Sequence, residues 1–377
     1  MKFRGYLLHL SLFLLTIITT TLAGAEWMTG NLFLFVKNPL GLEDFLKGFN
    51  YSIPFLLALT FHEFGHYFAA KYYSIKVSLP YYIPIWLSGM MGIGTMGAFI
   101  RLLQKPLSRK QYFDIGIAGP LAGFVVALLV LWYGFTHLPP VDYIFSIHPE
   151  YKKLGLNFAE KAYQNLEGQI YIGDNILFWF FKTYVANPDL VPNAFELMHY
   201  PYLLAGYLAL FFTALNLIPI GQLDGGHILY GLVGKKIHGL VSPILLVIFT
   251  FYSGVGIFKI ADFHFLHLSE YMEKLFPFIL YIIFLKICFS RIVPDSYHDW
   301  TLALGVAILQ LISIQIFPNF LGYSGFLPFV LVLGRFLGVY HPDVEIDEPL
   351  NPYRKLLGWL TLLIFILSFS PAPFIVY

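Results

Sequence analysis

Long uncharged runs of apolar residues recur along the chain, separated by short polar breaks. The first runs from Tyr6 to Ala25, behind Lys2 and Arg4. Others occupy about 50–71, 114–136, 200–220, 239–258, 272–290, 300–317, 322–339 and 356–377. A helix needs roughly 20 residues to cross a bilayer, so the pattern predicts nine transmembrane helices. Pro318 and Asn319 supply the turn between the seventh and eighth, and the sixth is the weakest, being short and ending in Lys286. A secretory signal is the alternative for the first run, because Leu22-Ala23-Gly24-Ala25 offers small residues near its end. Its apolar stretch is nevertheless longer than the usual h-region of roughly 7–15 residues.

Two connections stand apart. Residues 77–104 are apolar and poor in charge, yet Pro80, Pro84, Gly89, Gly92, Gly94 and Gly97 would interrupt a helix repeatedly. Irregular backbone at membrane depth survives only where protein or a wet cavity shields it. The stretch reads as a re-entrant hairpin or small sheet, with a simple interfacial loop as the alternative. The 137–198 loop mixes aromatics with Lys152, Lys153, Glu160 and Asp174. It reads as a small cap, too short for a separate peptide-binding domain.

Composition fits this picture. Of 377 residues, 58% are hydrophobic and 12% charged, against roughly 45–50% and about 25% in soluble domains. The expectation is an all-α polytopic membrane protein in contact with lipid. It divides into an N-terminal helix and connection (1–48), a core (49–236) and C-terminal helices (237–377). A net charge of +1 gives no case for nucleic acid, and the single Cys288 excludes a disulfide framework. Fifteen of the 23 Lys and Arg fall on one side when the N-terminus is placed in the cytoplasm. That placement is expected, with the C-terminus outside. A bacterial inner membrane is the expected location, with an organelle membrane as the alternative; the lack of an Arg/Ser-rich leader argues against a transit peptide.

Candidate chemistry sits inside the second run, at His62-Glu63-Phe64-Gly65-His66. Residues four apart share one helical face, so both imidazoles can reach a single metal ion. Glu63 adjoins the first ligand, where it can take a proton from a water at the metal. Zinc is the natural ion, one per chain, held by neutral imidazoles and a further protein ligand. The alternative, polar groups packed on an interior face, must meet the cost of ionisable residues in a membrane span, roughly 2.5–3.5 kcal/mol each on insertion scales.

The best third ligand is Asp224, in Asn216-Leu217-Ile218-Pro219-Ile220-Gly221-Gln222-Leu223-Asp224-Gly225. A helix N-cap is its alternative role. Depth favours the ligand: His66 lies five residues from Lys71, and Asp224 ends a span that the charge rule brings to the same side. His227 is the fallback ligand, while His199 belongs at the opposite face.

These residues together resemble the site-2 protease family of intramembrane zinc metalloproteases. His62 through His66 match its HExxH motif, and Asn216 through Gly225 match its NxxPxxxxDG pattern. Gly116-Ile117-Ala118-Gly119-Pro120 resembles the glycine-rich element between them. The likeness covers roughly residues 50–235 and is to members lacking a PDZ domain. It implies His62, His66 and Asp224 as zinc ligands and Glu63 as general base. Asn216 would orient substrate or stabilise an oxyanion, with an interhelical hydrogen bond as its alternative.

The expected reaction is hydrolysis of a peptide bond in or near a transmembrane segment of a membrane-protein substrate. The Gly94-Thr95-Met96-Gly97-Ala98-Phe99 segment is a candidate strand for pairing with an unwound substrate, through Gly94, Thr95 and Gly97; its alternative is a packing loop. Two rivals remain at this point. One is a non-catalytic membrane transporter or scaffold with the same fold. The other is a prenyl-protein endopeptidase type of membrane zinc protease, which usually takes a glutamate as third ligand.

Overall fold

The computed structural model describes residues 3–89, 92–155, 158–164, 168–263, 268–292 and 296–377, which group into two compact units.

The first unit comprises residues 1–107, 114–216 and 363–377. It opens with α1 (Phe3–Thr29), whose threonines satisfy their own hydroxyls in apolar surroundings. Thr16, Thr20 and Thr21 donate to the carbonyls four residues back, at 2.8, 2.7 and 2.6 Å. Thr20 also meets Ser52 at 2.7 Å, tying α1 to α2 (Phe49–Tyr72). Gly24 makes that contact close, since a Cβ there would lie 2.5 Å from the Tyr51 ring.

Strands β1 (Tyr81–Pro84) and β2 (Thr95–Phe99) pair antiparallel, with Tyr81 opposite Phe99 and an irregularity between Tyr82 and Pro84. Trp27 and Tyr51 donate side-chain hydrogen bonds to the Gly92 and Ile93 carbonyls, anchoring the connection. Helix α3 (Arg109–Thr136) follows. The 137–200 segment then folds into short helical turns, β3 (Ile170–Ile172) and α4 (Ile176–Tyr184). Helix α5 (Pro201–Leu217) is buried along most of its length, and the Tyr207 hydroxyl donates to the Gly173 and Pro373 carbonyls. Strand β4 (Phe374–Val376) pairs with β3.

The second unit comprises residues 108–113 and 217–362. Its helices are α6 (Asp224–Gly254), α7 (Leu268–Phe289), α8 (Ser296–Ile316), α9 (Leu327–Leu331, continued by a π-helical turn at Val332–Leu337) and α10, which starts at Pro352 and runs to Ser368. Gly234 breaks α6 with φ +79°. Gln310 links three elements: it accepts from Tyr281 and donates to the Thr250 and Phe251 carbonyls. Such a network satisfies polar groups where water cannot.

The expected nine crossings are overturned. Among the described residues, four helices are long and apolar enough to cross a membrane: Gly5–Thr29, Arg109–Thr136, Asp224–Gly254 and Tyr297–Ile316. The protein is a polytopic α-helical membrane protein built on these. The other five runs fail because an apolar run is not always one long apolar helix. That at 50–71 is helical but carries His62, Glu63, His66 and Lys71. The run at 200–220 gives a helix of 17 residues, halted before Pro219 and Gly221. Glu273, Lys274 and Lys286 interrupt the one at 272–290. The eighth divides into a 3-10 turn, a short α-helix and a π-helical turn. The ninth stops at Ser368, and its last residues form β4. The 77–104 stretch forms no closed sheet among the described residues; its regular part is the open β1–β2 ribbon, and residues 90–91 lie outside the description.

Candidate metal centre

Helix α2 places His62 and His66 on successive turns with Glu63 beside the first, and all three are buried at 3–6% exposure. The two imidazoles face each other edge to face, with Nε2 atoms 3.1 Å apart. His66 uses Nδ1 on the Ile115 carbonyl at 2.7 Å. That bond fixes the proton on Nδ1 and leaves the Nε2 lone pair for a cation, the usual outer support of a metal-bound histidine. Glu63 Oε1 lies 3.9 Å from His62 Nε2.

Glycines allow α3 to approach this closely. A Cβ on Gly65 would lie 2.4 Å from the Ala118 carbonyl oxygen, and one on Gly119 only 2.2 Å from His66 Nε2. Gly123 faces His62 Cβ at 3.0 Å. Gly119 and Gly123 form a small-xxx-small pair of the kind that lets membrane helices meet at their backbones. Asn216, the penultimate residue of α5, puts Nδ2 3.4 Å from His62 Nε2. Beside it is a small cavity walled by Phe55, Leu59, Phe212 and Thr213.

In the second unit, Asp224 is the first residue of α6, and the extended Leu223 before it takes the N-cap position. The turn leading to it is tight: a Cβ on Gly225 would lie 2.0 Å from the Leu217 carbonyl oxygen. Two imidazole nitrogens 3.1 Å apart and facing one point are donors of the kind zinc takes, so His62 and His66 fit zinc. His227 points its Nδ1 at His341, 2.9 Å away.

The three candidate strand residues serve the ribbon itself. Gly94 and Gly97 have φ of +87° and +103°. A Cβ on Gly94 would clash with the Thr20 backbone at 2.3 Å. Thr95 is buried, and its hydroxyl donates to the Ile83 carbonyl at 2.9 Å. Met96 and Phe99 of β2 are exposed. The sequence reading missed Ile115 and Gly123. A backbone carbonyl carries no residue signature, whereas the four-residue spacing of Gly119 and Gly123 was readable.

Residues 50–252 match the model of peptidase family M50. The chain is 28% identical over 255 residues to "Probable zinc metalloprotease EGY2, chloroplastic" of Oryza sativa subsp. indica, covering 67% of this chain and 41% of that protein. It is 30% identical over 184 residues to "Probable zinc metalloprotease EGY1, chloroplastic" of Oryza sativa subsp. japonica, covering 46% and 26%. With "Probable zinc metalloprotease EGY2, chloroplastic" of Arabidopsis thaliana the identity is 26% over 234 residues, covering 57% and 37%. The matched stretch thus spans about two fifths or less of these relatives' own lengths. No solved structure matches the chain.

Proposed function

The chain belongs to peptidase family M50, and from that membership we propose that it is an intramembrane zinc metalloprotease. Its reaction is hydrolysis of a peptide bond in or near a transmembrane segment of a membrane-protein substrate. The observation that carries this reading is the buried His62/Glu63/His66 face. Two imidazole nitrogens 3.1 Å apart converge there beside a carboxylate, with one imidazole oriented from behind by Ile115.

His62, His66 and Asp224 would hold one zinc ion. When bound, that ion supplies Lewis acidity, polarising the scissile carbonyl and lowering the pKa of water. Glu63 is the general base: its carboxylate takes a proton from the attacking water and passes it to the leaving amine. Burial of Glu63 keeps that transfer away from bulk solvent. The Asn216 amide can donate to the substrate carbonyl oxygen as charge develops there.

Substrate presentation falls to the β1–β2 ribbon. Among the described residues the β1–β2 ribbon has two strands, so each has one edge without a strand partner, and such an edge accepts an extended peptide. Gly94, Thr95 and Gly97 shape β2 for this pairing, and exposed Met96 and Phe99 offer side-chain contact. The N-terminus lies on the cytoplasmic side in this proposal. Lys2 and Arg4 precede the apolar part of α1, and Arg101, Lys105, Arg109 and Lys110 gather at the start of α3.

The test is cleavage of single-span membrane proteins co-reconstituted with the wild type or with Glu63→Gln. The wild type should cleave, and the variant should not while keeping its zinc. Equal cleavage by both would overturn the assignment of Glu63.

A further inference from the structure

We propose that His148, Glu196 and His199 form a second divalent-cation site, of zinc type, in the segment between α3 and α5. The three side chains come from a turn after α3 and from the turn that leads into α5. His148 Nε2 and His199 Nε2 are 3.3 Å apart. Glu196 Oε2 lies 3.6 Å from the first and 3.4 Å from the second. Tetrahedral zinc with ligands at about 2.0–2.2 Å sets those ligands about 3.3–3.6 Å from one another. All three separations fall in that range.

The other polar atom of each residue is already engaged. His199 Nδ1 bonds the Met28 carbonyl at 3.1 Å. His148 Nδ1 meets Glu150 Oε1 at 3.0 Å, and Glu196 Oε1 accepts from the Tyr163 hydroxyl. Each acceptor behind an imidazole holds the proton on Nδ1, so both Nε2 atoms present lone pairs inward. This is the outer shell that orients metal-bound histidines. Three acceptors therefore converge with no donor among them.

Burial sharpens the point. Glu196 and His199 are each 3% exposed, and Glu196 Oε2 is a buried atom that accepts no hydrogen bond among the described residues. An unmatched buried acceptor is costly. A proton on one imidazole could serve a single acceptor, whereas a cation at the centre serves all three. His148 is partly exposed and leaves a path for entry. Two histidines and one carboxylate suit zinc better than the oxygen-preferring magnesium or calcium. The ion would pin the turn after α3 to the entry of α5 and, through Met28, to the end of α1.

The experiment is metal analysis of the full chain in detergent, stripped with chelator, reloaded with Zn2+ alone and freed of excess. The wild type should carry about two zinc ions per chain, and His62→Ala/His66→Ala about one. Adding the near-isosteric Glu196→Gln to that double variant should remove the remaining ion. Tyr163→Phe leaves all three ligands in place and should weaken that ion about 10–100-fold, which reads the site even if Glu196→Gln folds poorly. One zinc per wild-type chain, lost in His62→Ala/His66→Ala, would overturn this inference and leave the protease site standing. One zinc lost only with Glu196→Gln would support it while removing the protease site's claim to metal.

Discussion

Two histidine–carboxylate clusters lie in the first unit, and they are held by opposite means. His62, Glu63 and His66 are positioned by the pitch of a single helix, with α3 closing on them through Gly65, Gly119 and Gly123. His66 is braced from behind by the Ile115 backbone carbonyl, and His62 meets the Asn216 amide. His148, Glu196 and His199 come from irregular turns 48 residues apart and depend on outer contacts to Met28, Glu150 and Tyr163. A helix orders its ligands as it forms, whereas converging turns order theirs only once the tertiary structure is complete. In the first cluster the Glu63 carboxylate lies beside His62 and is the proposed general base. In the second the carboxylate is itself a proposed ligand, which fits a structural role.

Substitutions can break this contrast, beginning with the strongest. Glu63→Gln should lower the cleavage rate about 10²–10⁴-fold, the usual contribution of general acid–base catalysis, with zinc content unchanged by elemental analysis. Loss of zinc in that variant would mean that Glu63 is needed to hold the metal. Gly119→Ala should come next. Its methyl would occupy the place of His66 Nε2, so the imidazole or α3 must shift, at a cost of about 1–3 kcal/mol for overpacking. The expected readout is at least tenfold weaker zinc retention against a competing chelator, with the second cluster's ion unaffected.

Tyr163→Phe should do the reverse, weakening only the second ion. A drop in retention of both ions would show that the clusters are coupled. Gly123→Ala should be mildest, since its methyl meets His62 Cβ at 3.0 Å and a helical alanine regains roughly 0.5–1 kcal/mol over glycine. A melting temperature within a few degrees of wild type is expected, and a collapse of zinc binding would mean that α3 cannot yield there.

This contrast also explains how much was legible in the sequence. His62, Glu63 and His66 declare themselves because helical spacing turns a five-residue string into one face. Asp224 was reached through its glycine- and proline-rich surroundings and the resemblance they carry. His199, by contrast, was placed only at the far membrane face. Nothing in a string links it to His148 across 50 intervening residues of loop, β3 and α4. The helix count erred for a related reason. Hydropathy reports what a segment's side chains prefer, but not whether its backbone stays helical. Pro219 and Gly221 after α5, the π-helical turn at Val332–Leu337 and the β4 strand each end a run that composition alone would extend.

The central claim is that His62, His66 and Asp224 hold the zinc on which Glu63 acts. Its most direct test is the zinc content of the detergent-purified, reloaded chain beside His62→Ala and Asp224→Ala. Each variant should carry one zinc ion fewer than the wild type. Unchanged zinc in both, with the protein still folded and monodisperse, would contradict the account.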